Sequence, residues 1–277
     1  MHKSLDSTLV LCDLDSLLLG ADGNLTQVVR DVLQLFSSRG GRLTVFSQRS
    51  PRAVRAILGS VRLAAPALVC GGTLAYHFAD GTATQLCSFA GQEEDFFAQL
   101  PHAAGVGIAL QMKDGSTRVL RMSNALEQHL KQEWTPYLLA NAADVRREDV
   151  LRVLLYQDGK NIPLVSLLEK AVGGSTAAIL GDRASADLVV LTPERVSGAQ
   201  MLEAVSNQTG TNPEDILVLA GSMPMLELVH ASSQSAASAD APAEVRLAAQ
   251  KVTLTDSVNG AAVEVLYRMV RDAENSL

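Results

Sequence analysis

Asp13 and Asp15 stand one residue apart where the apolar run Thr8 to Asp13 (TLVLCD) gives way to polar sequence. A run of that length reads as a buried strand, and carboxylates closing it lie where open parallel sheets bind their ligands. Two carboxylates so placed can reach one small volume, one attacking a phosphorus centre while the other moves protons. Taken alone, such a pair reads more simply as a solvated loop. Cys12 adjoins Asp13, but strand alternation turns its side chain to the other face, as a core thiol and not a nucleophile. Cys12, Cys70 and Cys87 are odd in number, far apart and set in apolar stretches, and His2, His77, His102, His129 and His230 contain no pair at ligand spacing. A disulfide framework and a sequence-local zinc motif are therefore both excluded.

The elements that must hold the two acids are legible on either side of them. After the turn at Asp22-Gly23-Asn24, Thr26 can cap a helix whose Val28, Val29, Val32, Leu33 and Phe36 recur at helical spacing, ended by Gly40-Gly41. Leu43 to Ser47 reads as the next strand, Ser50 and Pro51 open a helix through Leu58, and Ala67 to Cys70 reads as a third strand. This β-α-β-α-β order predicts a parallel sheet. From Ala83 to Asp187 the pattern changes, with hairpin signals at Asp80-Gly81 and Asp114-Gly115. Strands are expected near Gly107 to Lys113, Thr117 to Met122 and Leu151 to Tyr156, and helices near Glu93 to Leu100, Ser123 to Lys131 and Pro163 to Ala171. From Leu188 the first pattern is expected to resume. Its elements are the strand Val189 to Thr192, a helix over Gln200 to Gln208, the strand Ile216 to Ala220, a helix near Met225 to His230 and a last helix from about Val258 to Asp272. Ser232 to Ala243 reads as a small, polar tract. The expected fold is α/β: a Rossmann-like core of residues 1–82 and 188–277 carrying an α+β insertion of residues 83–187.

Composition narrows the partners. Across 277 residues, 47% apolar and 19% charged, there is ample material for a core, which excludes disorder. Thirty acidic against 23 basic residues give a net charge of -7, without the basic stripe of a nucleic-acid binder. No uncharged apolar run is long enough to span a membrane, and the N-terminus carries no secretory pattern, so the expected location is cytoplasmic.

Six segments in order along the chain resemble the haloacid dehalogenase superfamily, specifically its Cof-type phosphatases with a C2 cap. They are DLDSLLLGADGNLT from Asp13, LTVFSQR from Leu43, CGGTLAY from Cys70, PERVSGAQML from Pro193, AGSMPMLELV from Ala220 and the tail from Ala241 to Leu266. Where the family reads Thr-Gly-Arg the chain has Ser47-Gln48-Arg49. Where it reads Val-Ser-Lys-Gly the chain has Val196-Ser197-Gly198-Ala199. Where it reads Gly-Asp-Ser-x-Asn-Asp the chain has Ala220 to Met225.

The resemblance implies aspartyl-phosphate chemistry, with the nucleophile at Asp13, the acid/base at Asp15, and phosphate held by Ser47 beside Arg49. It implies Mg²⁺ held by Asp13, the carbonyl of Asp15 and an aspartate whose position is occupied here by Gly221. The lysine that offsets charge on the phosphate maps to Gly198, and the Asn-Asp pair to Pro224-Met225. Two aspartates and a phosphate dianion repel one another unless cations intervene, and each lost electrostatic stabiliser commonly costs about 10²- to 10³-fold in rate. The expectation is a degenerate site with little or no hydrolysis, retained to bind a small phosphorylated metabolite or a protein partner. The competing expectation is a Mg²⁺-dependent phosphatase of sugar phosphates or similar metabolites with a rearranged metal site. In that case Lys251, Lys160, Arg195 or Arg183 would supply the positive charge and Glu227 or Asp256 the metal ligand, although each reads more simply as a solvated surface group. The loss is read as one of charge alone, on a cradle otherwise kept.

Overall fold

Leu9–Asp13 (β1) is buried at all five positions, as the central strand of a parallel sheet must be. The computed structural model describes residues 5–89, 105–133, 135–158, 177–180, 188–192 and 196–275. β1 leads through the short helix Leu14–Leu17 to the helix Gln27–Ser38, which Thr26 opens by accepting the Val29 N–H at 3.3 Å. Val29, Val32, Leu33 and Phe36 form its buried stripe, whereas Val28, expected on the same face, is 62% exposed. Arg42–Phe46 (β2) pairs parallel with β1, and Ala67–Val69 (β3) follows the helix Pro51–Leu58 to pair parallel with β2. Leu74–Tyr76 (β4) and Ala83–Gln85 (β5) then add two antiparallel strands.

The chain next builds a second sheet from Val106–Met112 (β6), Thr117–Arg121 (β7), Tyr137–Leu139 (β8), Val150–Gln157 (β9), Ala177–Leu180 (β10) and Leu188–Leu191 (β11). Its order is β10-β11-β9-β6-β7-β8, antiparallel except between β7 and β8. The helix Asn124–Gln132 packs Leu126 and Leu130 onto one face, against Ala109, Val119, Leu154 and Tyr156. It can lie close because Gly107 has no side chain: a Cβ there would come within 2.4 Å of Ser123 Oγ.

The helix Gly198–Thr209 returns the chain to the first sheet, where Ile216–Ala220 (β12), Gln234–Ala237 (β13) and Lys251–Val252 (β14) complete the order β14-β13-β12-β1-β2-β3-β4-β5. The last helix, Ala261–Glu274, packs on Gln27–Ser38. The α/β fold with its parallel sheet is the one expected.

Three local expectations need correction. The strand at Leu188–Leu191 belongs to the second sheet, antiparallel to β9, and does not resume the first. Its run of four apolar residues fits either sheet, so sequence could not assign its partner. β5, expected to open the insertion, completes the first sheet. The small, polar tract after Ser232 holds β13, whose weak strand propensity is overridden by parallel pairing between β12 and β14. The helices expected at 93–100 and 163–171 lie outside the described residues.

By contacts the chain separates into two compact units, one of Met1–Arg49, Val54–Leu86 and Val196–Leu277, the other of Cys87–Arg195 with Ser50–Ala53. Among the described residues, no helix is long and apolar enough to cross a membrane.

Candidate functional site

β1 ends at Asp13, which is 1% exposed and caps the helix Leu14–Leu17 by accepting the Ser16 N–H on Oδ1 at 3.3 Å. Its other oxygen accepts from Ser222 Oγ at 2.5 Å. Ser222 follows β12, and the parallel register that sets Cys12 opposite Leu219 brings the two strand ends side by side. Burial raises the pKa of the Asp13 carboxyl above its ordinary value, and the nearby charge of Asp15 adds to this; hydrogen bonds from Ser16 and Ser222 offset it only in part. Cys12, one residue earlier, is fully buried, and burial pushes its thiol well above the ordinary range, which fits a core cysteine.

Asp15 is engaged on both oxygens. Oδ2 accepts from Ser47 Oγ at 2.9 Å and from the Gln48 N–H at 2.7 Å, and Oδ1 accepts from Arg49 Nε at 2.9 Å. These donors come from the loop after β2, whose register sets Phe46 opposite Asp13. The loop is in turn fixed by the end of β3: the Cys70 N–H donates to the Arg49 carbonyl at 2.9 Å and the Gly71 N–H to the Ser47 carbonyl at 3.0 Å. Cys70, Gly71 and Gly72 have φ of 53°, 69° and 83°, three successive left-handed residues. Glycine enters that region without steric cost and cysteine does not, so the buried Cys70 carries local strain. Sequence reading missed this turn, although Gly71-Gly72 marks it. It also missed Ser222 as a partner of Asp13, which the retained serine of the fifth segment could have indicated.

Asp13, Asp15, Ser47 and Arg49 are thus brought together at the carboxyl edge of β1 and β2. Gly221 lies beside them, following β12. A Cβ at Gly221 would fall 2.3 Å from Ser16 Oγ and 2.6 Å from Leu17 Cδ2, so the helix after Asp13 fills the direction a side chain would take. Gly198 is the first residue of its helix, behind a capping box in which Ser197 accepts the Gln200 N–H and Gln200 accepts the Ser197 N–H. A Cβ there would fall 1.8 Å from the Glu227 carbonyl oxygen and 2.9 Å from Ala231 Cβ, because the helix Leu226–Ala231 packs directly on it. Pro224 lies in the tight turn Met223–Met225, and Met225 is fully buried. The expectation of a kept cradle that lacks only charges is not met at Gly198, where a backbone carbonyl occupies the direction the lysine would take; at Gly221 the atoms in the way are the Ser16 hydroxyl and the end of the Leu17 side chain.

Of the substitutes considered from sequence, three can be placed among the described residues. Asp256 accepts the Asn259 N–H at 2.6 Å and Asn259 Nδ2 at 2.8 Å, within its own turn. Lys251 is an exposed residue of β14, and Glu227 is the residue whose carbonyl abuts Gly198. Lys160, Arg183 and Arg195 lie outside the described residues.

Mg²⁺ demands near-octahedral oxygen ligands, usually one or two carboxylates with waters and substrate oxygens. Here the Asp13 carboxylate is bonded to Ser16 and Ser222 and position 221 offers no side-chain oxygen, which leaves the Asp15 carbonyl as the remaining ligand of the set the resemblance implies. Among the described residues no three His, Cys, Asp or Glu side chains lie together as a metal cluster. The residues present do not fit the magnesium site that the fold implies.

A sequence profile of haloacid dehalogenase-like hydrolases matches residues 10–265. No curated protein matches the chain. Among solved structures, a phosphatase of the haloalkanoate (HAD) superfamily from Bacteroides thetaiotaomicron is 16% identical, with a TM-score of 0.73 over 95% of this chain and 94% of that one. A haloacid dehalogenase-like hydrolase from the same organism is 17% identical, with a TM-score of 0.78 over 95% and 99%. A HAD subclass IIB sugar phosphatase is 10% identical, with a TM-score of 0.73 over 94% and 98%.

Proposed function

The chain belongs to the haloacid dehalogenase-like hydrolase family, and from that premise we propose that it is a phosphatase-fold protein with little or no phosphohydrolase activity, kept to bind a small phosphorylated metabolite or a protein partner. The observation that carries this reading is the back-filling at Gly198 and Gly221, where a carbonyl and two side chains stand in the paths of the missing lysine and carboxylate. Phosphate attack by Asp13 would crowd a dianion against Asp13 and Asp15, and the guanidinium of Arg49 is already paired with Asp15. Without further cations that approach is repulsive. The residues around Asp13 hold it for a different purpose: Ser222 and the Ser16 N–H fix the carboxyl as the cap of a short helix and the seam between β1 and β12. In this reading the unit spanning Cys87–Arg195 is the cap, substrate contacts being its usual office in the family. The thiols Cys12 and Cys70, both buried, suit a reducing, cytoplasmic setting.

The test is hydrolysis of an aryl phosphate with Mg²⁺ by the wild type and by Asp13→Asn. Indistinguishable rates are expected. A clear turnover that needs both Mg²⁺ and Asp13 would overturn the reading in favour of a Mg²⁺-dependent phosphatase working through an aspartyl phosphate.

A further inference from the structure

β8 closes one end of the second sheet, and its outer edge has no partner among the described residues. The Ala140 N–H donates to the Val119 carbonyl at 3.0 Å, so alternation along the strand turns the main-chain groups of Leu138 toward β7 and those of Tyr137 and Leu139 outward. An open row of donors and acceptors is a template for another strand, and edges are ordinarily guarded by charged side chains or prolines. This edge is unguarded. From Thr135 to Ala143 the sequence TPYLLANAA carries no charge, and Pro136 is in phase with Leu138, so the donor it lacks would have faced β7. Tyr137, Leu138 and Leu139 are 39%, 64% and 76% exposed. The strand is held at its start by the Thr135 N–H, which donates to the Leu130 carbonyl at 2.9 Å, and at its end by Ala140, so pairing would order little that is not ordered already.

We infer that β8 pairs with β8 of a second copy of this chain, antiparallel about a twofold axis at Leu138. In that register Tyr137 of each copy lies opposite Leu139 of the other. Outward-facing residues that oppose one another in an antiparallel ladder exchange both N–H···O bonds, so the two pairs close four. Each pair also sets an aromatic side chain beside an aliphatic one on a single face, the face of Val119, while Leu138 meets its own copy on the other. Charge favours a second copy as the occupant: each chain carries -7, and two such chains approach with least repulsion where neither presents a charge, whereas a charged peptide would find no counter-charge along this edge. So short a strand makes a small interface, hence a weak dimer with a Kd on the order of 10–100 µM. The inference is independent of whether Asp13 hydrolyses phosphate, since no residue of β8 belongs to that site.

The experiment is sedimentation equilibrium of the full chain from about 1 to 500 µM, over which the average mass should rise from that of one chain toward that of two. Leu138→Glu sets two carboxylates against each other at the axis and should weaken association by about tenfold or more; the side chain it replaces is exposed, and circular dichroism verifies that the fold is kept. Leu138→Cys sets two thiols on the non-hydrogen-bonded pair at the axis, where Cα atoms stand about 4.5 Å apart, within disulfide reach, and mild oxidation should yield a covalent dimer. Val28→Cys, at a position 62% exposed on the helix Gln27–Ser38, measures chance collision. The inference is overturned if the wild type remains a single chain at about 500 µM, if Leu138→Glu associates as tightly as the wild type, or if Leu138→Cys cross-links no faster than Val28→Cys.

Discussion

Replacing Gly198 with alanine sets two physical effects of opposite sign against each other. Alanine gains about 1 kcal/mol over glycine inside a helix, and less at Gly198, the first residue of its helix. The new Cβ, however, would sit 1.8 Å from the Glu227 carbonyl oxygen and 2.4 Å from its carbon, where 3.4 Å begins ordinary contact. The helix Leu226–Ala231 must then move by about 1.6 Å, taking with it Leu228 and Val229, which are buried. Overpacking of that kind costs about 1–3 kcal/mol, and an obstructing backbone atom places this case at the upper end. The expected net loss is about 2 kcal/mol, a fall in Tm of roughly 4–8 °C for a domain of this size. Thermal unfolding followed by circular dichroism reads it directly, with Ala199→Gly in the same helix as the reference for propensity, since Ala199 is exposed. If Gly198→Ala leaves Tm unchanged or raises it, the close approach of the two helices is not a constraint, and the argument that a lysine cannot return there collapses with it.

The remaining predictions concern the carboxyl edge of β1. Because burial raises the Asp13 pKa in the folded state, the folded chain holds that proton more tightly than the unfolded one, so stability falls as pH rises from the unfolded value through the folded one. Asp13→Asn should therefore raise Tm by a few degrees at pH 8 and lose that advantage toward pH 4; a destabilised variant at pH 8 would contradict it. Gly221→Asp should not create a Mg²⁺ site by calorimetric titration, because Ser16 and Leu17 stand in its path; measurable Mg²⁺ heat from that single change would refute the back-filled reading. Arg49→Met should cost at most about 1 kcal/mol, since the pair with Asp15 is partly solvated and Ser47 and Gln48 still donate to it. A loss of several kcal/mol in urea unfolding would mean that Arg49 anchors far more than this pair.

Much of this arrangement follows from local sequence because its causes are local. β1 is legible as a strand because five apolar or terminal positions run without interruption, and the helix Gln27–Ser38 because its buried stripe recurs at helical spacing behind a threonine cap. Asp13 and Asp15 could be singled out because they close a readable strand, and Ser47 and Arg49 through the resemblance of LTVFSQR to the family's second motif. What local sequence could not decide was partnership. The four apolar residues of Leu188–Leu191 suit a parallel core or an antiparallel sheet equally, and only the pairing with β9 settles which they join. β13 is a strand because β12 and β14 flank it, although Gln234–Ala237 has little tendency to extend on its own. The meaning of Gly198 and Gly221 was likewise hidden: in sequence each is a missing charge, whereas in space each is a contact, one with the backbone of Glu227 and the other with Ser16 and Leu17. A side chain's absence is recorded by sequence, but what occupies the vacated volume depends on residues remote along the chain, and only tertiary packing brings them there.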